Sequence, residues 1–530
     1  MEISVIGNSQ MKIGKIEENL RDLCISNFGN NKQKSRVLFD QSKIKEKGNY
    51  GFRFPLRATQ SNVIPVEKTS ASPNSISVDG VNLFVGLPVD TVSRDNTLNH
   101  ERAITAGLKA LKLMGVDGVE LPVWWGIVEK DAMGKYDWSG YLAIAEMVHK
   151  LGLKLRVSLC FHASQEPKIP LPTWVSQFGE ADPSIYFTDR LGQQYKECLS
   201  LAVDDLPIFD SRSPIEVYQN FCESFKSTFS PFMGSTITGV TIGLGPDGEL
   251  RYPSCHDSAS HNNHSGVGEF QCYDKYMLTY LKQYAEKMGK PMWGLGGPHD
   301  VPSYNEPPCA KNFFKDNGGS WETPYGDFFL SWYSNQLISH GNRILSIALT
   351  VFGETPLIIS GKLPLVHSWY KTQSHPSELT AGFYNTVNRD GYEEVIEVFG
   401  KNSCRIILPG LDLSDAREPN GSSPQSLLAQ IKDVCRVQGV GISGENLSLS
   451  KVTDGFSNIK SNLSEEDPIV DSFTYQRMGA DFFSPKHFPM FTAFVRGVNQ
   501  LDIDVDDMPE TRRVAEPVHV KSEVLQVQTA

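Results

Sequence analysis

Long hydrophobic runs, paired cysteines and an excess of basic residues are all missing from this chain. No stretch reaches eighteen uninterrupted apolar residues, so we expect no transmembrane helix. The nine cysteines are scattered without CxxC spacing, which predicts reduced thiols and argues against a zinc site, although a Cys198–Cys222 bridge stays open. With 50 Lys and Arg against 62 Asp and Glu, the net charge of -12 argues against nucleic acid or an anionic membrane as partner. A neutral substrate fits this charge better.

Composition divides the chain into three parts. Residues 1–72 are rich in Ser, Asn and Gln, and basic residues outnumber acidic ones between 31 and 57. This pattern predicts an organelle transit peptide, with a disordered cytosolic extension as the alternative, because acidic residues occur early in the segment. Residues 80–500 are predicted to form the globular domain. Residues 501–530 are acidic and low in aromatics, which predicts a flexible tail.

Between the two ends, strand-like apolar runs alternate with segments of helical periodicity. The eight runs are 81–87, 118–123, 153–161, 237–244, 357–360, 404–408, 439–443 and 472–475. Helical patterns cover 102–114, 141–151, 216–228 and 328–349. About eight such units predict an α/β fold, a (β/α)₈ TIM barrel with long loops on its C-terminal face. A doubly wound sheet is the rival, but no GxGxxG follows the first strand. Residues 255–316, rich in Gly, Pro, His and Asn, are predicted to be inserted loops.

Two glutamates follow strand-like runs at separate places in the chain. Glu249 lies in GLGPDGELRYPS (243–254), and Glu445 lies in GISGENL (441–447). Two carboxyl groups at strand ends suit inverting glycoside hydrolysis, in which one acts as acid and the other as base with a water between them. On spacing alone, two unrelated surface glutamates remain an equal alternative.

Longer motifs around these glutamates resemble the plant beta-amylase family. The motifs are GVELPVWWGIVE (118–129), GLGPDGELRYPS (243–254), GEFQCYDKY (268–276), FFLSWYSNQLISHG (328–341), ELTAGFYN (378–385) and GEN (444–446). Members of that family are inverting exo-hydrolases that release β-maltose from the non-reducing ends of α-1,4-glucans. The resemblance therefore implies a (β/α)₈ barrel without a cofactor or metal, and starch, α-1,4-glucan or maltooligosaccharide as the ligand.

The resemblance also implies roles for individual residues. Glu249 matches the general acid, which must hold a proton, and Glu445 matches the general base, which must be ionised. The positions that match substrate contacts are His162, Lys362, His367, Asn446, Leu447 and Arg477.

Several positions depart from the family pattern. Pro122 stands where the family has an aspartate that grips the terminal glucose, and Pro409 replaces a mobile threonine, so a carboxylate and a hydroxyl are lost. The lid that follows His162 is shortened, with Glu166 as its only nearby acid, and Leu447 replaces a smaller residue. These departures predict very weak or absent hydrolysis and a regulatory or glucan-binding role. In the regulatory role the predicted partner is an active amylase. An active beta-amylase with relaxed subsites is the alternative.

Overall fold

The computed structural model describes residues 81–255, 266–447, 453–464 and 469–498, and its centre is a closed barrel of eight parallel strands. The barrel strands are β1 (Asn82–Gly86), β2 (Gly118–Trp124), β3 (Lys154–Cys160), β6 (Ile237–Ile242), β7 (Ile358–Lys362), β8 (Arg405–Leu408), β9 (Ile442–Glu445) and β10 (Val470–Tyr475). Each strand pairs with the next of these eight, and β1 closes the ring by pairing with β10 in the register Asn82↔Ser472. The predicted (β/α)₈ barrel is confirmed, and the doubly wound sheet is wrong.

A short antiparallel ribbon lies outside the barrel and consists of β4 (Tyr186–Thr188) and β5 (Gln194–Leu199). Its importance is positional, because β5 supports the loop that follows β3.

Helices connect the barrel strands and cover their outer surface. In the described ranges they are α1 (Glu101–Leu113), α2 (Trp125–Val128), α3 (Ser139–Lys150), α4 (Thr173–Ala181), α5 (Pro214–Thr228), α6 (Lys275–Lys287), α7 (Pro324–Phe352), α8 (Pro376–Ala381), α9 (Glu393–Lys401), α10 (Pro424–Gln438), α11 (Thr453–Leu463) and α12 (Phe488–Val498). Helix α5 shows how local sequence sets a boundary. Ser213 and Glu216 form a reciprocal capping box, Pro214 begins the helix, and Phe221 and Phe225 are fully buried.

The segment 255–316 was predicted to be irregular, and that prediction is wrong in part. It contains the thirteen-residue helix α6. Asp274 caps this helix by accepting hydrogen bonds from the N–H groups of Tyr276 and Met277, and an apolar face that includes Leu281 is buried. The many polar residues around α6 hid its short apolar stripe from a composition-based prediction.

Other sequence expectations have a clear outcome or lie outside the described ranges. Cys198 and Cys222 are both free, buried thiols, so they form no bridge. Among the helices of the described ranges, none combines the length and the apolar character needed to cross a membrane. The transit-peptide prediction for 1–72 and the flexible-tail prediction for 501–530 fall outside the described residues.

Candidate active site

Glu249 follows the loop that leaves β6 at the C-terminal end of the barrel. The loop turns through a 3₁₀ turn, Pro246–Gly248, in which Asp247 adopts a left-handed backbone with φ of 54°. Leu250 N–H then donates to the carbonyl of Lys362 at 2.9 Å, and Glu249 forms an isolated parallel bridge with Lys362. These backbone contacts fix Glu249 beside the end of β7.

A buried ion cluster fixes the start of the same loop. His340 on α7 donates from Nε2 to the carbonyl of Leu244 at 2.9 Å, and its Nδ1 lies 2.7 Å from Oδ2 of Asp204. Arg343 donates to the same Asp204 oxygen at 2.6 Å and 2.9 Å. Helix α7 therefore positions the Glu249 loop through a histidine that the family motif contains but that sequence reasoning gave no role.

Arg251 binds the Glu249 carboxylate directly. Its Nε donates to Oε2 of Glu249 at 2.8 Å, and its Nη2 donates to Oδ2 of Asp247 at 2.5 Å. The guanidinium is only 6% exposed, so the two carboxylates are its charge partners in a poorly solvated place. Glu249 is thus held by a cation that is shared with a second acid.

Glu445 is the last residue of β9 and is almost fully buried. Its Oε2 accepts a hydrogen bond from Nζ of Lys362 at 2.8 Å, and its Oε1 accepts one from Nε2 of Gln476 at 3.0 Å. Burial lowers the pKa of Lys362, but attraction to Glu445 outweighs it, so the pKa of Lys362 lies above its ordinary value. The barrel brings both predicted catalytic glutamates to Lys362, Glu249 through the backbone and Glu445 through the side chain.

His162 lies where the sequence predicts, directly after β3. Its ring packs edge-on against Trp124 with centroids 5.3 Å apart, and its Nδ1 lies 2.8 Å from the carbonyl of Ala163. Burial lowers the pKa of His162, with Asp247 acting in the opposite direction. A Cβ built on Gly248 would lie 3.5 Å from Nε2 of His162, so this ring borders the Glu249 turn.

The remaining predicted contact residues are bound to other parts of the protein. The Asn446 amide exchanges hydrogen bonds of 2.8 Å and 2.7 Å with the backbone of Gln476, and Arg477 donates to the carbonyl of Leu87 at 2.9 Å. Leu447 N–H donates to Oδ1 of Asp412 at 2.8 Å. His367 lies beside Glu418, with Nδ1 3.7 Å from Oε2.

The two departures at proline occur where the backbone tolerates them. The carbonyl of Glu120 accepts from Leu87 N–H at 2.8 Å, so the backbone of Pro122, two residues on, also faces β1. Strand β1 has ended at Gly86 by then, and the Leu87 carbonyl, which an N–H at position 122 would meet if the ladder continued, accepts from Nη1 of Arg477 at 2.9 Å instead. Pro409 directly follows β8 and is buried, and the next loop residues are fixed because Leu411 N–H donates to the carbonyl of Glu445 at 3.1 Å.

The loop after His162, which the sequence predicts to be a shortened lid, forms a tight turn on the β4–β5 ribbon. Ser164 and Ile169 exchange backbone hydrogen bonds of 2.8 Å, and Ala163 N–H donates to the carbonyl of Glu197 at 2.6 Å. Gln165 adds a side-chain hydrogen bond to the Glu197 carboxylate. Glu166, the one acid of this turn, is exposed.

Comparison with known proteins identifies the family. The model of glycosyl hydrolase family 14 matches residues 84–500. The chain belongs to glycosyl hydrolase family 14. A protein named inactive beta-amylase 9, from Arabidopsis thaliana, is 54% identical over 526 residues, which cover 97% of this chain and 96% of that protein. A protein named beta-amylase 2, chloroplastic, from Oryza sativa subsp. japonica, is 40% identical over 79% of this chain and 77% of its own length.

A solved structure of the same family supports the fold. The catalytic domain of a beta-amylase from Paenibacillus polymyxa is 26% identical, with a TM-score of 0.66 over 79% of this chain and 99% of that one. The resemblance to plant beta-amylases is therefore confirmed at the level of family and fold.

Two residues of this family 14 barrel escaped the sequence analysis. Glu120 on β2 is 7% exposed, and its Oε1 lies 2.7 Å from Oγ of Ser158 on β3. Gln476 donates from Nε2 to Oε2 of Glu120 at 3.1 Å as well as to Glu445. A charged residue in the otherwise apolar run GVELPVW was the available signal. In the described part of the chain no cluster of three or more His, Cys, Asp or Glu is placed to hold a metal ion.

Proposed function

We propose that this chain is a beta-amylase-like protein of starch or polysaccharide degradation that binds α-1,4-glucan but hydrolyses it very weakly or not at all. The observation that carries the proposal is that the residues predicted to contact glucan already form hydrogen bonds within the protein. Lys362 is bound to Glu445, Asn446 to the Gln476 backbone and Arg477 to the Leu87 carbonyl. Groups that are already bonded within the protein must exchange those bonds before they bind sugar, which weakens the gain from binding.

The names of two relatives support a loss of turnover. Besides inactive beta-amylase 9, a protein named inactive beta-amylase 4, chloroplastic, from Arabidopsis thaliana, is 37% identical over 78% of this chain. Pro122 and Pro409 add a chemical reason, since neither supplies a side-chain donor or acceptor. Removing one stabilising donor from a transition state costs about 3 kcal/mol, or roughly 10²–10³ in rate.

Within this proposal Glu249 is the general acid and Glu445 the general base, with His162, Lys362, His367, Asn446, Leu447 and Arg477 around the glucan. An inverting reaction needs a water between the two carboxyl groups. The Arg251 guanidinium donates to both Glu249 and Asp247, so Glu249 must exchange this hydrogen bond before its carboxyl group can turn toward a leaving oxygen.

A second candidate is an active beta-amylase that releases β-maltose by inversion. The observation in its favour is that both glutamates are kept and are fixed at the C-terminal end of the barrel, beside Lys362. We infer a plastid stromal location from relatives named chloroplastic and from the basic segment before residue 72. There the protein would meet starch and active amylases, and an active amylase is the protein partner that we propose.

Maltose release from soluble starch by the full chain tests the proposal. The Glu249→Gln variant is the blank, since it keeps the shape of the site but has no transferable acid proton. We expect wild-type release to match this blank. Turnover well above the blank would overturn the impaired-enzyme proposal in favour of the active one.

Glucan binding is measured separately by titration calorimetry with maltotetraose. The proposal expects a binding heat, and the absence of any heat would contradict its glucan-binding part. The double variant Pro122→Asp/Pro409→Thr returns a carboxylate and a hydroxyl to the site, and we expect tighter binding than in Pro122→Ala/Pro409→Ala. Equal affinity in these two variants would mean that the prolines are not the cause.

A further inference from the structure

One side-chain amide lies between two carboxyl groups inside the barrel. Gln476 has two hydrogens on Nε2, and that atom lies 3.1 Å from Oε2 of Glu120 and 3.0 Å from Oε1 of Glu445. One amide group can therefore serve both acids at once. The two acids come from β2 and β9, on different sides of the closing strands β1 and β10.

The amide is held in a fitted position. A Cβ built on Gly86 would lie 2.2 Å from Oε1 of Gln476, so the amide oxygen occupies the space that a side chain at 86 would take. That oxygen is buried and accepts no hydrogen bond from any residue in the described ranges. A buried carbonyl without a donor costs free energy, and the two contacts of Nε2 are the compensation that the structure provides.

We propose that Glu120, Gln476 and Glu445 form a carboxyl–amide–carboxyl bridge, in which Glu120 carries a proton and keeps Glu445 in place as the ionised partner of Lys362. Glu120 is then a positioning residue for the predicted base. Lys362 lies 2.8 Å from Glu445 and supplies one positive charge, which one carboxylate neutralises. The hydrogen-bond partners of Glu120 in the described ranges are neutral, the Ser158 hydroxyl and the Gln476 amide, so a second carboxylate there would have no directly bonded cation.

The surroundings of Glu120 agree with a neutral acid. Burial raises the pKa of Glu120, and the negative charge of Glu445 raises it further, while Lys362, Ser158 and Arg477 act in the opposite direction. The charged and titratable groups that face this cluster are Glu445 on β9, Lys362 on β7, Arg156 and Cys160 on β3, and Arg477 after β10. The Ser158 hydroxyl, 2.7 Å from Oε1, can accept the proton of Glu120, since a hydroxyl both donates and accepts.

The bridge links the state of Glu120 to the predicted base. Both oxygens of Glu445 are engaged by donors, Lys362 on β7 and Gln476 just after β10, and Gln476 is shared with Glu120. Ionisation of Glu120 would place a like charge across the amide and compete for Lys362. The inference does not depend on hydrolysis or glucan binding, and it can fail while the proposed function holds.

Infrared difference spectroscopy of the full chain tests the bridge through the C=O stretch of protonated carboxyl groups. Subtracting the Glu120→Gln spectrum from the wild-type spectrum isolates Glu120, because glutamine has the shape of the neutral acid but no titrating group. We expect an acid band that persists to higher pH than that of an ordinary glutamic acid and disappears on further titration, because burial and Glu445 both raise the pKa of Glu120. In Glu445→Gln the same band should disappear at lower pH than in the wild type, because the like charge that raises the pKa of Glu120 is gone.

Two further variants separate the bridge from a general effect of burial. Gly86→Ala displaces the Gln476 amide and should also shift the titration of the acid band, although both acids remain. Asp274→Asn removes the buried carboxyl that caps helix α6, away from the three bridge residues in the chain, and should leave this titration unchanged. Identical acid bands in wild type and Glu120→Gln, or a titration insensitive to Glu445→Gln, would overturn the proposal. Should Glu120→Gln fail to fold, the Glu445→Gln and Gly86→Ala titrations still decide it.

Discussion

Lys362 is the side chain on which the charges of the candidate site depend most. It is 21% exposed, and it faces the buried carboxylate of Glu445 directly and Glu120 at longer range. Removing one partner of a buried ion pair destabilises a fold far more than replacing both partners with apolar residues, because the remaining charge is left poorly solvated.

Lys362→Met should therefore destabilise the fold by about 3–5 kcal/mol at neutral pH. The loss should shrink as pH falls, because a protonated glutamate needs no cation. Urea unfolding at several pH values measures both effects, and Lys362→Arg, which keeps the charge, is the control. A loss of equal size at all pH values would point to packing and not to charge.

Sequence could identify some of these residues but not others. Glu249 and Glu445 lie within motifs, and each can be recognised from its neighbours in the chain. Glu120 and Gln476 are 356 residues apart, and only closure of the barrel through β1 and β10 brings them together. No local pattern carries that information, so the bridge could not be predicted from one sequence.

At the scale of elements, the strands were easier to predict than the inserted helix α6. The strands lie in apolar runs bounded by polar loops, whereas α6 depends on its cap at Asp274 and on three buried positions in a polar segment. The cap has a cost. Burial raises the pKa of Asp274 from 3.8 to about 7, even though two backbone N–H groups and the Ser200 hydroxyl donate to it.

This raised pKa predicts a pH dependence of stability. The contribution of Asp274 is fully present below the unfolded value of 3.8 and is lost as pH rises through about 7. Asp274→Asn keeps the cap without the charge. Its stability relative to wild type should rise by up to about 4 kcal/mol between about pH 4 and about pH 8. Urea unfolding of both proteins checks this, and a difference that stays constant with pH would contradict it.

At the scale of the whole molecule, Arg156 connects strands on several sides of the barrel. It reaches from β3 to Oγ of Ser443 on β9 at 3.0 Å, and its Cζ lies 3.8 Å above the Phe84 ring of β1. Burial lowers the pKa of Arg156 to about 10. The barrel interior is thus held by polar contacts as well as by packing.

Arg156→Met should lower the free energy of unfolding by about 2–4 kcal/mol, since it removes a charged hydrogen bond and a cation–π contact but keeps most of the volume. Arg156→Lys keeps the charge but not the planar guanidinium geometry, so its free energy of unfolding should lie between those of the wild type and Arg156→Met. Wild-type stability in Arg156→Met would show that this connection is dispensable.

The tight turn at 163–170 has a kinetic consequence. The backbone of this turn is hydrogen-bonded to itself and to Glu197 of the β4–β5 ribbon. The turn, which forms a rim beside His162, therefore cannot close over a ligand without breaking those hydrogen bonds. Arrival of a maltooligosaccharide should then be an ungated, single-step encounter. In stopped-flow fluorescence that reports on Trp124, the observed rate should rise linearly with ligand concentration. A plateau would reveal a slow rearrangement that limits entry, and the rim would then be a gate after all.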